Sequence, residues 1–241
     1  MASRLGQCVS AAQMHRAAST GDWGGLRSKL AGYWRGAEGD QFYSAYPERY
    51  DAWFLGPHYP VVDAMVSAAE TGEFSRLIEI GCGDGRVLQH VAGRLPSLER
   101  VTGLDINTGI IARNGATYVD DARLSFEAAD GHPWLLRASL PGSIVMAYGG
   151  VFEYFTHDDL TAVFGHLAAQ LAPSMLVLTE PVADDFDVAT EIHSRPHGIE
   201  FSFSHPYRRL LEAAGFTVVF EQETRIDHRW IMIVARTPGT R

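Results

Sequence analysis

The sequence has few cysteines, no excess of basic residues and no long hydrophobic run, and each absence excludes a class of protein. Two cysteines among 241 residues cannot build a disulfide framework, which favours a reducing, cytoplasmic location. The formal net charge of -9 leaves no broad basic surface, which argues against a nucleic-acid partner and against an anionic membrane surface. No stretch reaches the roughly 18 apolar residues of a membrane-spanning helix, so no membrane segment is expected.

An alternation of strand and helix patterns begins near Ser75 and divides the chain into two predicted regions. Residues 1–74 contain two predicted helices, at 22–34 and 60–71, and an aromatic stretch at 40–55, which we interpret as a lid. Residues 75–241 alternate strands with helices, which predicts a doubly wound α/β sheet, mostly parallel with an antiparallel last strand. The seven predicted strands cover residues 76–80, 100–104, 124–128, 143–148, 175–179, 216–224 and 229–237.

Three motifs at the ends of predicted strands point to a bound adenosine. The pattern Gly81-x-Gly83-x-Gly85 follows the first strand, where glycines allow a tight turn and a close ligand approach. Asp105 ends the second strand and can accept hydrogen bonds from both hydroxyls of a ribose, as it also would from NAD. The glycine loop lacks the GxxG spacing that packs a helix against a pyrophosphate. Asp130, after the third strand, can accept from the exocyclic amine of an adenine.

Taken together, Glu79-x-Gly81-x-Gly83-x-Gly85, Asp105 and Asp130-Gly131 resemble the class I, Rossmann-like S-adenosylmethionine (SAM)-dependent methyltransferases, over roughly residues 75–236. The resemblance implies SAM as the cofactor and a seven-stranded core. It also implies roles for individual residues. In the glycine loop the implied contacts with the methionine part of SAM are Gly81, Cys82 and Gly83, with Gly85 in the same loop and Glu79 anchoring it from behind.

The resemblance further implies that Asp105 holds the ribose and that Ile106 packs on the adenine. Two more pairs complete the implied cofactor site: Asp130 with Gly131 at the adenine edge, and Tyr148 with Gly149 beside the methionine part. In relatives a Tyr-Asp segment ahead of the first strand reaches the SAM carboxylate, and Tyr50-Asp51 matches that segment.

The acceptor side carries weaker signals. Glu153, in the loop after the fourth strand, and Glu180, at the end of the fifth, are acidic groups that can orient an acceptor or take its proton. His193 and His205, after the fifth strand, are the candidate general bases. The fourth strand ends without an aspartate, and Pro196 separates His193 from His197, so no metal site is predicted.

The sequence therefore predicts methyl transfer from SAM to O, N or C of a small-molecule acceptor, possibly one of specialised metabolism. Three alternatives stay open: an NAD-linked enzyme, an aminopropyltransferase-like enzyme, and a SAM-binding partner subunit without catalysis. A homodimer also stays open, because the first 75 residues can wall the pocket of their own chain or of a neighbour.

Overall fold

A seven-stranded sheet forms the centre of the molecule. The computed structural model describes residues 19–36, 46–70, 73–198 and 202–238, with the single positions 12 and 16 ahead of them. The strand order is β3-β2-β1-β4-β5-β9-β8, so the chain changes direction across the sheet between β1 and β4. The strands are β1 (Arg76–Ile80), β2 (Arg100–Asp105), β3 (Leu124–Ala128), β4 (Ser143–Tyr148), β5 (Ser174–Val182), β8 (Thr217–Arg225) and β9 (Arg229–Arg236).

The five strands β1 to β5 are parallel, and β9 lies antiparallel between β5 and β8. The predicted fold class, a mostly parallel sheet with an antiparallel last strand, is confirmed. The strand β5 extends beyond its predicted end because Glu180, Pro181 and Val182 continue to pair with β9. Glu180 and Pro181 interrupt the apolar sequence pattern of β5, but they do not end its pairing with β9.

Helices cover both faces of the sheet. They are α3 (Pro60–Ala69), α4 (Arg86–Arg94), α5 (Thr108–Thr117), α6 (Gly131–Leu135), α7 (His157–Gln170) and α8 (Tyr207–Ala213). Alternate residues of the strands enter different cores: Leu77 packs into the core that includes α3 and α4, whereas Ile78 and Ile80 pack into the core with α7 and α8. Burial on both faces explains the nearly continuous apolar runs of these strands.

The N-terminal helices take two different positions. Helix α1 (Trp23–Arg35) begins as predicted, with the Asp22 carboxylate accepting from the Gly25 amide at 2.9 Å. Its residues Leu26 and Leu30 pack on Phe203, above the strand ends. Helix α3, in contrast, packs on the sheet itself. Between them lie α2 (Tyr46–Arg49) and a π-helical turn (Tyr50–Phe54); the rest of the predicted aromatic stretch, at 40–45, lies outside the described residues.

The long connection after β5 contains a small hairpin that the sequence analysis did not predict. Its strands are β6 (Arg195–His197) and β7 (Ser202–Ser204), which pair antiparallel. Strands of three residues are too short to show an alternating pattern. A 3₁₀ turn (Phe152–Tyr154) follows β4. None of the described helices has the length and apolar character needed to cross a membrane.

Candidate active site

A cavity of about 620 Å³ opens at the carboxyl ends of the parallel strands, beneath helix α1. This is the edge at which α/β sheets bind their ligands, and the volume suits a small molecule. The residues that line the half nearest the strand ends are Ile80, Gly81, Asp105, Ile106, Ala129, Asp130, Gly131, Tyr148, Gly149, Gly150 and Val151.

The glycine loop turns sharply between β1 and α4. Gly81, Gly83 and Gly85 all have positive φ, at 68°, 51° and 78°, a region in which other residues are strained. A Cβ on Gly81 would lie 2.6 Å from the Val151 Cγ2 atom. Only glycine therefore lets the loop pass so close to the segment after β4.

Asp105 holds this loop to the next strand end. Its carboxylate accepts from the amide of Gly83 at 3.1 Å and from the amide of Asn107 at 2.8 Å. The residue lines the cavity although only 2% of it is exposed. Asn107 in turn caps α5 by accepting from two backbone amides of its first turn.

Asp130 and Gly131 form the third strand-end element. The Asp130 carboxylate accepts from the His132 amide at 3.1 Å, which caps α6, and also binds the Arg27 guanidinium of α1 at 3.3 Å. A Cβ on Gly131 would lie 2.2 Å from the Ile80 Cγ2 atom, so this position has room for glycine only. Arg27 also reaches Asp159 at 3.6 Å, which ties α1 across the cavity.

The loop after β4 is held from below by Glu180. This carboxylate is fully buried and accepts from the amides of Val151, Phe152 and Glu153 at 3.0 to 3.2 Å. Burial raises its pKa to about 7, against the opposing effect of the three amide donors. Glu180 was expected to face the acceptor. It is not among the residues that line the cavity, whereas Glu153, 8% exposed, is.

The far half of the cavity has aromatic walls with a polar rim. Tyr148, at the end of β4, donates to or accepts from the Nδ1 atom of His58 at 3.0 Å. His58 is buried against Trp230 of β9, with ring centroids 4.9 Å apart, and burial lowers its pKa to about 4. The residues that line this half are Tyr33, Trp34, Arg49, Trp53, Glu153, Tyr154, Phe155, Pro181, Val182, Ala183, Asp184, His197, Gly198, Ser202, Asp227, His228 and Trp230.

Several solved structures with the same fold are methyltransferases, and another is the [4+2]-cyclase SpnF, with a TM-score of 0.51. The magnesium protoporphyrin IX methyltransferase of Synechocystis PCC 6803, with bound SAM, has a TM-score of 0.60 at 15% identity, over 88% of this chain and 97% of that one. The N-methyltransferase NodS of Bradyrhizobium japonicum WM9, with S-adenosylhomocysteine, has a TM-score of 0.55 at 18% identity, over 78% and 93%. Human N-acetylserotonin methyltransferase, in complex with SAM, has a TM-score of 0.57 at 16% identity, over 86% of this chain and 58% of that one.

Residues 77–174 match a family model described as a methyltransferase domain. The match over residues 77–174 and the fold shared with SAM-bound methyltransferases point to the same kind of domain. No curated protein sequence matches the chain. The family and fold class predicted from the sequence are confirmed.

The methyltransferase cavity brings together most of the predicted cofactor residues. Of the twelve, seven line it: Gly81, Asp105, Ile106, Asp130, Gly131, Tyr148 and Gly149. Four others lie behind this surface, where they shape the glycine loop. Cys82 is buried beneath Gly103, and Gly85 packs on Tyr118 and Phe126. Gly83 reaches Asp105 through its amide, and Glu79 is buried in β1, where burial and nearby carboxylates raise its pKa well above its usual value.

Tyr50 differs from the expectation for a methyltransferase lid. Its hydroxyl is hydrogen bonded to the Nδ1 atom of His90 in α4 at 3.1 Å, and its ring stacks on Phe54. It does not line the cavity, whereas Arg49 and Trp53 of the same segment do. The aromatic pattern of the sequence does not tell which ring of this segment faces the cavity.

Neither predicted histidine base is brought to the cavity. His193 is exposed in the connection after β5 and touches only the ring of His157 among the contacts of the described residues. His205 is fully buried, with its Nδ1 atom 2.6 Å from the Ser194 hydroxyl, and burial lowers its pKa to about 3. A buried imidazole of this pKa is neutral at pH 7 and has no path to an acceptor in this arrangement.

The sequence analysis missed the walls that come from the two ends of the chain. Arg27 and Trp34 of α1, and Asp227, His228 and Trp230 at the start of β9, all line the cavity. The one available signal was the predicted antiparallel last strand, because such a strand begins at the edge where the parallel strands end. In the described part of the chain, no group of three or more His, Cys, Asp or Glu side chains is arranged to hold a metal ion.

Proposed function

We propose that the protein transfers the methyl group of SAM to O, N or C of a small-molecule acceptor. The observation that supports this best is the convergence of seven predicted cofactor residues, from the ends of β1, β2, β3 and β4, on one cavity. The same cavity continues into an aromatic half that is large enough for an acceptor. The names of the structural neighbours, which include a protoporphyrin and an N-acetylserotonin methyltransferase, support a small-molecule acceptor.

The residues of the first half fit an adenosine and its methionine extension. Asp105 would accept from the ribose hydroxyls, Ile106 would pack on the adenine, and Asp130 with Gly131 would meet its amine edge. Gly149 has a φ of +84°, and a Cβ placed on it would meet no atom within 4 Å, so the backbone there is open to a ligand. A glycine at this place lets a ligand approach the backbone closely.

The donor arrives activated, since its sulfonium carries the methyl group as a good electrophile. The chain therefore has to orient the acceptor and exclude water. The turn that Glu180 holds contributes Glu153 to the lining of the cavity, which also includes Tyr154, Trp34 and Trp53. Aromatic walls of this kind desolvate the acceptor and limit its orientations.

We also propose a division into a lid within residues 1–74 and a core at 75–241, in which helix α3 of the first region packs on the sheet as part of the core. Helix α1 supports this division, since it covers the cavity and is tied to Asp130 and Asp159 through Arg27. SAM that approaches Asp130 has to share or displace the Arg27 guanidinium, so lid opening and cofactor entry would be coupled. A homodimer stays a proposal, and the sedimentation coefficient at micromolar concentration tests it.

Calorimetry with SAM and with NAD tests the cofactor, and release of S-adenosylhomocysteine across acceptor classes tests the reaction. We expect SAM to bind at micromolar concentration and NAD not to bind. Failure of SAM to bind at high micromolar concentration would contradict the proposal. Binding without turnover on any acceptor favours the partner-subunit alternative, and transfer from decarboxylated SAM favours the aminopropyltransferase alternative.

A further inference from the structure

The start of β9 presents a histidine and a tryptophan to the acceptor half of the cavity. Trp230 is almost fully buried, and the ring of His228 stacks on it with centroids 4.8 Å apart and an interplanar angle of 28°. Trp53 packs on the same tryptophan at 5.9 Å. All three residues line the cavity. The arrangement is an aromatic wall in which the His228 ring stacks on Trp230 and the Trp53 ring is tilted by 58° against the same tryptophan.

The imidazole of His228 is oriented by a carboxylate. Its Nδ1 atom lies 2.8 Å from the Asp227 Oδ1 atom, and the Asp227 side chain also accepts from the His228 amide at 2.9 Å. The Nε2 atom makes no hydrogen bond with any of the described residues. A carboxylate on one nitrogen fixes the tautomer and the orientation of the ring, which leaves the lone pair of the other nitrogen to take a proton.

Strand pairing places His228 at the same edge of the sheet as Tyr148. Arg229 and Trp230 pair with Val182 and Pro181, the last residues of β5, so His228 lies beyond the carboxyl end of that strand. Tyr148, the last residue of β4, pairs with Thr179 of β5. The backbones of β9 and β4 are two strand spacings apart, about 10 Å. Both residues line the same cavity.

The other polar groups of this half are less suited to act as a base. His197 has its Nδ1 atom 3.2 Å from the Ser204 hydroxyl and no carboxylate within hydrogen-bond distance, and burial lowers its pKa. Asp184 forms an ion pair with Arg225 at 2.6 Å. Glu153 remains as a rival. The acceptor that needs a general base is one whose hydroxyl is neutral before the transfer.

We propose that His228, positioned by Asp227, is the general base for a neutral, flat aromatic acceptor that bears a hydroxyl group. The inference rests on the proposed function and narrows it to O-methylation. An amine attacks without losing a proton first, whereas a phenol, with a pKa near 10, is only about 0.1% ionised at pH 7 and needs a base. The hydroxyl proton passes to the Nε2 atom as oxygen attacks the methyl carbon. The carbon–sulfur bond breaks, and sulfur keeps the electron pair as S-adenosylhomocysteine.

The test uses three probes that differ in how much they need a base. They are 2-naphthol, a weak acid; 4-nitrophenol, which is largely ionised at pH 8; and 3-aminoquinoline, an amine. We expect wild-type enzyme to release S-adenosylhomocysteine with 2-naphthol and not with 3-aminoquinoline. His228→Gln should lower kcat/KM for 2-naphthol by about 100-fold or more through kcat, and for 4-nitrophenol by less than tenfold. Asp227→Asn should also lower kcat/KM more for 2-naphthol than for 4-nitrophenol, but by a smaller factor than His228→Gln.

Two controls keep these results specific. The SAM dissociation constant of His228→Gln should stay within twofold of wild type, since the residue lies in the acceptor half. His193→Gln, at an exposed histidine away from the cavity, should leave the rates with both phenols unchanged.

Several outcomes would overturn the inference. An equal loss with both phenols means that His228 packs against the acceptor and does not take its proton. If Glu153→Gln loses more activity with 2-naphthol than with 4-nitrophenol, and His228→Gln does not, then Glu153 is the base. Turnover of the amine alone, or SAM binding with no turnover of either phenol, removes the hydroxyl acceptor. Absence of SAM binding would contradict the proposed function itself. Calorimetry with SAM therefore distinguishes failure of the proposed function from failure of the His228 proposal.

Discussion

Replacing Asp105 by asparagine tests the proposed donor site at its most constrained residue. The carboxylate holds the amides of Gly83 and Asn107, so the change affects both the fold and the ligand. The asparagine NH₂ group faces one of the two amides, which leaves that buried donor without an acceptor and costs about 1–3 kcal/mol of unfolding free energy. Urea denaturation without ligand measures this part.

The second part is the loss of SAM affinity. A hydrogen bond from a ribose hydroxyl to a carboxylate contributes roughly 1.5–3 kcal/mol, and asparagine removes both the charge and one acceptor. We expect SAM to bind about 2–3 kcal/mol more weakly, which is roughly a 30- to 150-fold higher dissociation constant by calorimetry. Glu153→Gln is the matched control, because it lines the opposite half and should change SAM affinity less than twofold.

Asp105→Asn that is folded and binds SAM within threefold of wild type would refute the ribose assignment. An equal loss of affinity in Glu153→Gln would refute the division of the cavity into a donor and an acceptor half.

Three further variants test the frame of the site. Gly131→Ala forces a Cβ against Ile80, so it should lower the free energy of unfolding in urea by about 1–3 kcal/mol and weaken SAM binding. Gly115→Ala, in open space on a helix, should raise the free energy of unfolding by up to about 1 kcal/mol. Equal effects of the two substitutions would contradict the packing argument. Buried His205 stays unprotonated in the folded protein, whereas the same residue takes up a proton in the unfolded chain, so the free energy of unfolding falls from pH 6.5 to about pH 3. His205→Asn should abolish about 2 kcal/mol of the loss between pH 7 and pH 5. An unchanged dependence of the free energy of unfolding on pH would be inconsistent with the low pKa. Glu180→Ala leaves three buried amides without an acceptor and should lower the free energy of unfolding by about 3 kcal/mol or more. A loss below about 1 kcal/mol would show that the turn after β4 does not depend on Glu180.

The donor half could be predicted from the sequence because its chemistry is local. Gly81 follows β1 and Asp105 ends β2, and the buried residues of these two strands stand out as apolar runs, whereas Asp130 follows the more exposed β3. Parallel strands bring their ends to one edge, so residues far apart in the chain could be grouped without knowing any contact. Sequence spacing alone could not show that Asp130 also binds Arg27 and that Asp105 also holds the glycine loop.

The acceptor half was predicted poorly because its walls depend on long-range packing. His193 and His205 were chosen as bases by residue type and position after β5, and the hairpin of β6 and β7 turned one outward and buried the other. His228 was overlooked because a histidine in a hairpin turn is ordinary. Its place on the wall follows only from the pairing of β9 with the end of β5.

The insertion of β9 between β5 and β8 has a consequence for how the protein is made. A ribosome that has translated as far as Arg225 has already supplied every residue of the donor half, yet in the described sheet β8 pairs only with β9. The unfinished sheet ends at β5 with an open edge, and Trp230 is not yet there to close the acceptor half. The residues that complete the sheet and close the acceptor half are therefore synthesised after all those of the donor half.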